Sequence, residues 1–289
     1  MKTLLIYPEF PNTFWSFKYA LRFIEKKASS PPLGLLTVAS MLPEEWPKRL
    51  VDMNVEPLTD DAIAWADLVM ISAMVVQRSS AKEVIERCKQ AGKRVVAGGP
   101  LFSAEWSRFP DVDHLVLGEG EITVPQFLED LERGNPQPLY RANTYADLST
   151  TPIPAWKLAK VSAYDSLNIQ YSRGCPYNCE FCNVTALFGH RPRTKNPDQI
   201  IAELDAMYYG LRWRRNIFFV DDNFIGDRRH VKEEVLPALI TWRKGKAGCP
   251  FITEASINLA DDPELIAMMR EAGFVSVFVG IETPLEESL

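Results

Sequence analysis

The chain opens on a short apolar run, Lys2 to Tyr7, closed by Pro8, and similar runs recur through its first half. An unbroken apolar run of that length suits a strand buried on both faces of a parallel sheet. The others are Arg49 to Asn54, Leu68 to Ala73, Arg94 to Ala97 and His114 to Leu117. Helical spacing fills the gaps between them. Pro31-Pro32-Leu33-Gly34 opens a helix over Leu35 to Leu42, with prolines where a missing N–H costs least. Asp60 and Asp61 read as the N-cap and first turn of another, through Trp65. Ser79 or Ser80 is expected to cap the clearest amphipathic helix, with Val84, Ile85 and Cys88 as its apolar stripe and Gly92 as its stop. A fourth helix is expected from Thr123 to Leu131. Five strands alternating with helices predict an α/β domain built on a doubly wound, flavodoxin-like (Rossmann-like) parallel sheet.

The pattern lapses between Gly134 and Trp156, which is polar and carries Pro136, Pro138, Pro152 and Pro154. It reads as a linker. The expected division is residues 1–135, a linker over 136–163, and a second domain over 164–289. In the second domain the expected strands are Leu167 to Tyr171, Ile217 to Val220, Phe251 to Ile257 and Val275 to Ile281. The expected helices run from Pro197 to Tyr208, Val231 to Trp242 and Asp262 to Ala272. This βα repeat resembles a parallel barrel, and four strands cannot close one, so a partial barrel is expected.

Bulk properties narrow the function classes. The 289 residues are 46% hydrophobic and 24% charged, with a net charge of -6. That balance excludes a general nucleic-acid surface. The basic stretches Arg191 to Lys195 and Arg212 to Arg215 read as solvated faces. No apolar run is long enough for a signal core or a bilayer span, so a cytoplasmic location is expected.

Five cysteines is an odd count, and three fall within Arg173-Gly174-Cys175-Pro176-Tyr177-Asn178-Cys179-Glu180-Phe181-Cys182. That crowding indicates metal or redox chemistry instead of a disulfide framework. Three thiolates can hold three irons of a four-iron, four-sulfur cluster and leave one iron open to a chelating ligand. The competing reading is a structural zinc site with His190 or Cys249 as fourth ligand.

The Cys-x3-Cys-x-Phe-Cys run resembles the radical S-adenosylmethionine (SAM) superfamily, and the first half is similar to its cobalamin-binding (B12) subclass. Within that subclass the text is similar to the hopanoid C-2 methylase group and its relatives. Pro31-Pro32-Leu33-Gly34-Leu35-Leu36, Gly98-Gly99-Pro100, Gly118-Glu119-Gly120-Glu121, Val220-Asp221-Asp222-Asn223-Phe224 and Gly280-Ile281-Glu282-Thr283 carry the likeness alongside the cysteines. The resemblance implies that Cys175, Cys179 and Cys182 bind the cluster, whose open iron is chelated by SAM. Reductive cleavage would then yield methionine and a 5′-deoxyadenosyl radical. It implies further that Phe181 sits beside the adenine, that Asp222 and Asn223 contact the methionine moiety, and that Glu282 meets the ribose. Their structural alternatives are a core Phe181, an Asx-turn at Asp222-Asn223 and a surface Glu282.

Cobalamin is expected without a histidine ligand, because Asp-x-His-x-x-Gly is missing. Its expected contacts are Ser72, Ser79, Gly98, Gly99, Gly118, Glu119 and Gly120, with Glu121 nearby. The implied activity is C-methylation of an unactivated carbon in a small molecule or lipid, with flavodoxin or ferredoxin as electron donor. A lipid substrate would place the protein peripherally at a membrane. Alternatives are a radical SAM cyclase without net methylation, a non-catalytic metal-binding module, or an inactive fragment.

Overall fold

The computed structural model describes residues 1–13 and 16–281. It divides into two compact units, Met1–Ala146 with Thr150–Asp165, and Asp147–Ser149 with the chain from Ser166 onward.

The first unit contains β1 (Thr3–Tyr7), α1 (Lys18–Phe23), α2 (Leu33–Met41), β2 (Lys48–Asp52), α3 (Asp60–Trp65), β3 (Leu68–Ser72) and α4 (Arg78–Gln90). It continues with β4 (Arg94–Gly98), α5 (Pro100–Glu105), β5 (His114–Leu117), α6 (Gly120–Glu132) and β6 (Leu139–Arg141). All six strands are parallel, in the order β2-β1-β3-β4-β5-β6. The first five follow the flavodoxin order, with the switch point between β1 and β3.

Alternation within each strand builds a core on both faces. Val69 and Ile71 of β3 pack with Ile63, Val84 and Phe102 from α3, α4 and α5. Leu68 and Met70 point the other way, towards Val124 and Phe127 of α6. A parallel sheet covered twice in this way explains why its strands are apolar at consecutive positions.

Several local expectations are corrected. The sixth strand lies in the stretch that reads as a linker, where Tyr140 is buried and Leu115 N–H donates to Pro138 O at 2.8 Å. Helices α1 and α5 carry no clear periodicity. The cap of α3 is Thr59, whose side chain accepts from Ala62 N–H at 3.2 Å, and not Asp60. Neither Ser79 nor Ser80 caps α4. A tight turn at Val75–Gln77 runs into that helix, with Gln77 Oε1 accepting from Met74 N–H at 2.7 Å.

The second unit contains β7 (Leu167–Ile169), β8 (Ser172–Arg173), α7 (Val184–Phe188), β9 (Arg193–Thr194), α8 (Pro197–Asp205) and β10 (Ile217–Phe219). Then come α9 (Arg228–His230), α10 (Leu236–Arg243), β11 (Phe251–Glu254), α11 (Pro263–Ala272) and β12 (Phe274–Phe278). The sheet order β12-β11-β10-β7 is parallel and sequential, the sector of a βα barrel. Its core is aromatic, with Phe219 meeting Phe224, Phe251 and Phe274 at centroid distances of 5.1–5.5 Å. β8 and β9 form a separate antiparallel ribbon. The basic runs are not simply solvated. Arg214 lies over the Tyr208 ring at 3.3 Å, and Lys195 is buried. Among the described residues, no helix is long and apolar enough to cross a membrane.

Candidate active site

The chain leaves the carboxyl end of β7, passes through β8 into the cysteine loop and ends at α7, so the loop starts at the carboxyl edge of the second sheet, the edge that bears active sites in βα barrels. Gly174 makes its first turn at φ +98°, and a Cβ there would stand 2.9–3.1 Å from the carbonyls of Phe188, Gly189 and Arg191. Only glycine fits that crowded, left-handed position. Cys175 N–H donates to Gly189 O at 3.3 Å, and Cys182 N–H to Cys179 O at 3.0 Å. Cys175 and Cys182 are half-buried and Cys179 is exposed. Burial pushes the Cys175 thiol up; the Tyr177 N–H opposes this, while nearby Asp222, Cys182 and Cys179 add to it. Among the described residues, no three His, Cys, Asp or Glu side chains converge as one metal ion requires. A cubane takes one thiolate per iron.

The Asp221-Asp222-Asn223 run follows β10, and alternation gives its members different tasks. Asp221 is fully buried and accepts from Ser172 Oγ at 2.7 Å, from Tyr171 N–H at 3.3 Å and from Ser172 N–H. It brackets β10 to β8. Asn223 is also buried and exchanges hydrogen bonds with Ser256 beyond β11, at 3.1 and 3.2 Å. Asp222, between them, lies beside the cysteine loop. Its carboxyl is pushed up by burial, against hydrogen bonds from the backbone of Gly174 and of Asp222 itself. Asp222 Oδ2 is buried and accepts no hydrogen bond among the described residues.

Burial pushes the Asp221 carboxyl up to about 7 despite the hydrogen bonds from Ser172 and Tyr171. The folded state therefore holds this proton more tightly than the unfolded chain. Its contribution to stability is present at acid pH and is lost as pH rises from the ordinary carboxylate range through about 7. Asp221→Asn should remove that slope and, by turning an NH2 towards a backbone donor, cost roughly 1–3 kcal/mol. Urea unfolding at about pH 5 and about pH 8 measures both effects; an unchanged slope would refute the assignment.

Phe181 is 68% exposed, so it is not a core residue. Glu282 lies outside the described residues. Of the two zinc partners, Cys249 precedes β11 and so lies at the opposite, amino edge, while His190 is exposed next to Gly189, whose carbonyl accepts from Cys175 N–H. Cys249 is buried, with its thiol donating to Trp213 O at 3.2 Å. Sequence reading missed Glu254, at the carboxyl end of β11, whose carboxyl is pushed up by burial and by Asp222. Its position at a strand end was the available signal.

In the first unit the predicted cofactor contacts follow β3, β4 and β5. Gly98 is enforced by the sheet, since a Cβ would stand 2.7 Å from Val116 O. Gly99 has φ +87°, and a Cβ would meet Ser72 Oγ at 2.5 Å. Gly118 has φ +84° and nothing within 4 Å of its Cβ position, and its N–H donates to Ser103 Oγ at 3.0 Å. Gly120 faces Val38 at 3.2 Å. Ser72 is half-buried and Ser79 exposed, and Glu119 is buried with its carboxylate accepting from Ala146 N–H. Met74, Val75 and Val76, after β3, are exposed apolar residues that sequence reading did not single out. His114 begins β5 at the opposite edge, its Nδ1 2.7 Å from Gln137 O.

Residues 23–128 match the family model of the B12 binding domain, and residues 169–289 match that of the Radical SAM superfamily. The chain belongs to the radical SAM proteins that carry a B12 binding domain. It is 49% identical to an uncharacterised methyltransferase of Synechocystis sp., over 100% of this chain and 54% of that protein. It is 40% identical to the hopanoid C-2 methylase of Rhodopseudomonas palustris, over 98% of this chain and 54% of that one. The chain thus spans about half the length of these curated relatives. The fold is shared with OxsB, a cobalamin-dependent S-adenosylmethionine radical enzyme solved with aqua-cobalamin bound. That match has a TM-score of 0.73 at 18% identity, over 100% of this chain and 45% of OxsB. The methyltransferase TsrM from Kitasatospora setae, solved with cobalamin and a [4Fe-4S] cluster, gives 0.70 at 15% identity, over 99% and 62%.

Proposed function

We propose that the protein is a cobalamin-dependent radical SAM methylase acting on an unactivated carbon, with a hopanoid-type lipid as its substrate class. The observation that carries this reading is the three-cysteine loop at the carboxyl edge of a βα sheet, in a chain that also matches the B12 binding domain. The likeness to the hopanoid C-2 methylase supports the substrate class.

The residues present fit the groups this reading requires. Cys175, Cys179 and Cys182 would hold the cluster. Asp222 Oδ2 is a buried acceptor without a partner among the described residues, a state that ordinarily costs about 1–3 kcal/mol and that a bound ammonium would relieve. We assign it, with Glu254 beside it, to the amino group of SAM. The exposed Phe181 ring is free to stack on adenine, and Glu282 is assigned to the ribose. Asn223 positions the strand ends. In the first unit, the backbone at Gly99, Gly118 and Gly120, the hydroxyls of Ser72 and Ser79, and the apolar loop at Met74 would seat cobalamin. When bound, these groups supply the electron that cleaves SAM, the hydrogen-abstracting radical and the methyl carrier. Flavodoxin or ferredoxin would supply the electron, in the cytoplasm, with the protein meeting its lipid at the membrane surface.

Anaerobic turnover of the full-length protein, reconstituted with iron, sulfide and cobalamin, tests the reading with methyl-labelled SAM and a hopanoid. Label in the lipid is the expected result. 5′-Deoxyadenosine with unlabelled lipid would favour a cyclase or rearrangement enzyme. One bound zinc and no sulfide would leave only a metal-binding module.

A further inference from the structure

We propose that Tyr177 is a positioning residue: its hydroxyl latches the middle of the cysteine loop to the ends of β10 and β11 and so sets the geometry in which the loop receives its cluster. This rests on the cluster reading above and adds a residue that the cysteine spacing does not reveal.

The latch is a continuous chain of side-chain hydrogen bonds within the second unit. Asn258 Nδ2 donates to Tyr177 Oη. Ser256 Oγ donates to Asn258 Oδ1 at 2.7 Å, and Asn223 Nδ2 donates to Ser256 Oγ at 3.1 Å. Asn223 is 3% exposed and fixed at the end of β10 by its second bond, from Ser256 N–H. The backbone at Asn258 is held too, its carbonyl accepting from Arg228 Nη2 at 2.8 Å. Tyr177 therefore connects to a buried anchor through two polar side chains.

Packing brings the same part of the loop to the same place. Gly226, in the turn after β10, lets the loop approach: a Cβ there would stand 3.4 Å from Pro176 Cδ and 3.1 Å from Pro192 Cγ. The loop is thus pinned at Gly174 and Cys175, and again at Pro176 and Tyr177. Beyond Tyr177 and before α7, the loop makes a local turn in which Cys182 N–H donates to Cys179 O. The first thiolate stands on a fixed segment, the second on an exposed one, and the third, half-buried, where the loop meets α7. Tyr177 is 42% exposed, so its ring gains little from burial. The hydroxyl is what holds it.

A cluster bound to a pre-ordered loop pays less conformational entropy than one that must order the loop itself. Tyr177→Phe removes the hydroxyl and leaves the ring. In the anaerobically reconstituted full-length protein it should speed cluster loss to a chelator about fivefold, roughly one net hydrogen bond. The EPR spectrum of the reduced cluster should shift while the thermal unfolding midpoint stays put. Asn258→Ala should do the same. The double variant should match either single one, because both break one connection. Asn258→Asp should restore wild-type behaviour, since a carboxylate accepts from both Ser256 and the tyrosine hydroxyl. Wild-type cluster retention in Tyr177→Phe, or additive effects in the double variant, would overturn the latch alone. A wild-type protein that takes up no iron and sulfide would overturn the cluster reading and the latch with it.

Discussion

Cys179→Ala is expected to abolish the visible absorption of the reconstituted cluster and to lower SAM cleavage by on the order of a thousandfold or more, while leaving the fold intact. The two halves of that expectation come from different observations. Cys179 is exposed, so its sulfur contributes nothing to a core and its removal opens no cavity. Its role is confined to what it can ligate. Cys88 is the informative contrast. It is fully buried under α4, in the core of the first unit, and burial pushes its thiol up to about 11. A thiol so placed is inert as nucleophile or ligand. Cys88→Ala should therefore weaken the first unit by about 1 kcal/mol and keep the full iron and sulfide complement. Metal analysis and absorption spectra of the two variants decide the matter. Full cluster content in Cys179→Ala would remove that residue from the ligand set.

The cysteine loop was legible because its information is local: three thiols in one short segment, after a strand. The doubly wound sheet was legible for a related reason, since strands buried on both faces announce themselves as consecutive apolar residues. What escaped depends on chain folding. Tyr140 sits in a three-residue strand between prolines, too short to show a period. The division of labour in Asp221-Asp222-Asn223 follows from which way each side chain leaves the end of β10, which spacing alone does not give. Asn258 lies 81 residues beyond Tyr177, and no sequence pattern joins them. The glycines teach the converse lesson. Gly98 reads as a cofactor contact, and the fold shows a second demand for glycine there, since a Cβ would stand 2.7 Å from Val116 O.

Lys195→Met should be the most damaging single change to the second unit outside its aromatic core, costing about 3–5 kcal/mol at neutral pH. Lys195 belongs to a basic run that reads as solvated, but its side chain is 3% exposed and its Nζ donates to Glu203 Oε1 on α8. Its backbone N–H donates to Tyr171 O at 2.8 Å, so the residue joins the strand region before the cysteine loop to α8, the second helix after it. Glu203 is as deeply buried, and burial pushes its carboxyl up even against the opposing pull of Lys195 and Arg173. Without Lys195 that carboxylate loses its ammonium partner. A carboxyl raised in the folded state stabilises at acid pH and loses that contribution as pH rises. The deficit of Lys195→Met should therefore be largest near neutrality and shrink towards about pH 4, where the carboxyl is protonated in both states. Adding Glu203→Leu should recover most of the loss, because an apolar pair of similar volume removes the stranded charge. Urea unfolding followed by tryptophan fluorescence across that pH range separates the cases. A loss that does not vary with pH, or that persists in the double variant, would mean that Lys195 matters for its packing and not for its charge.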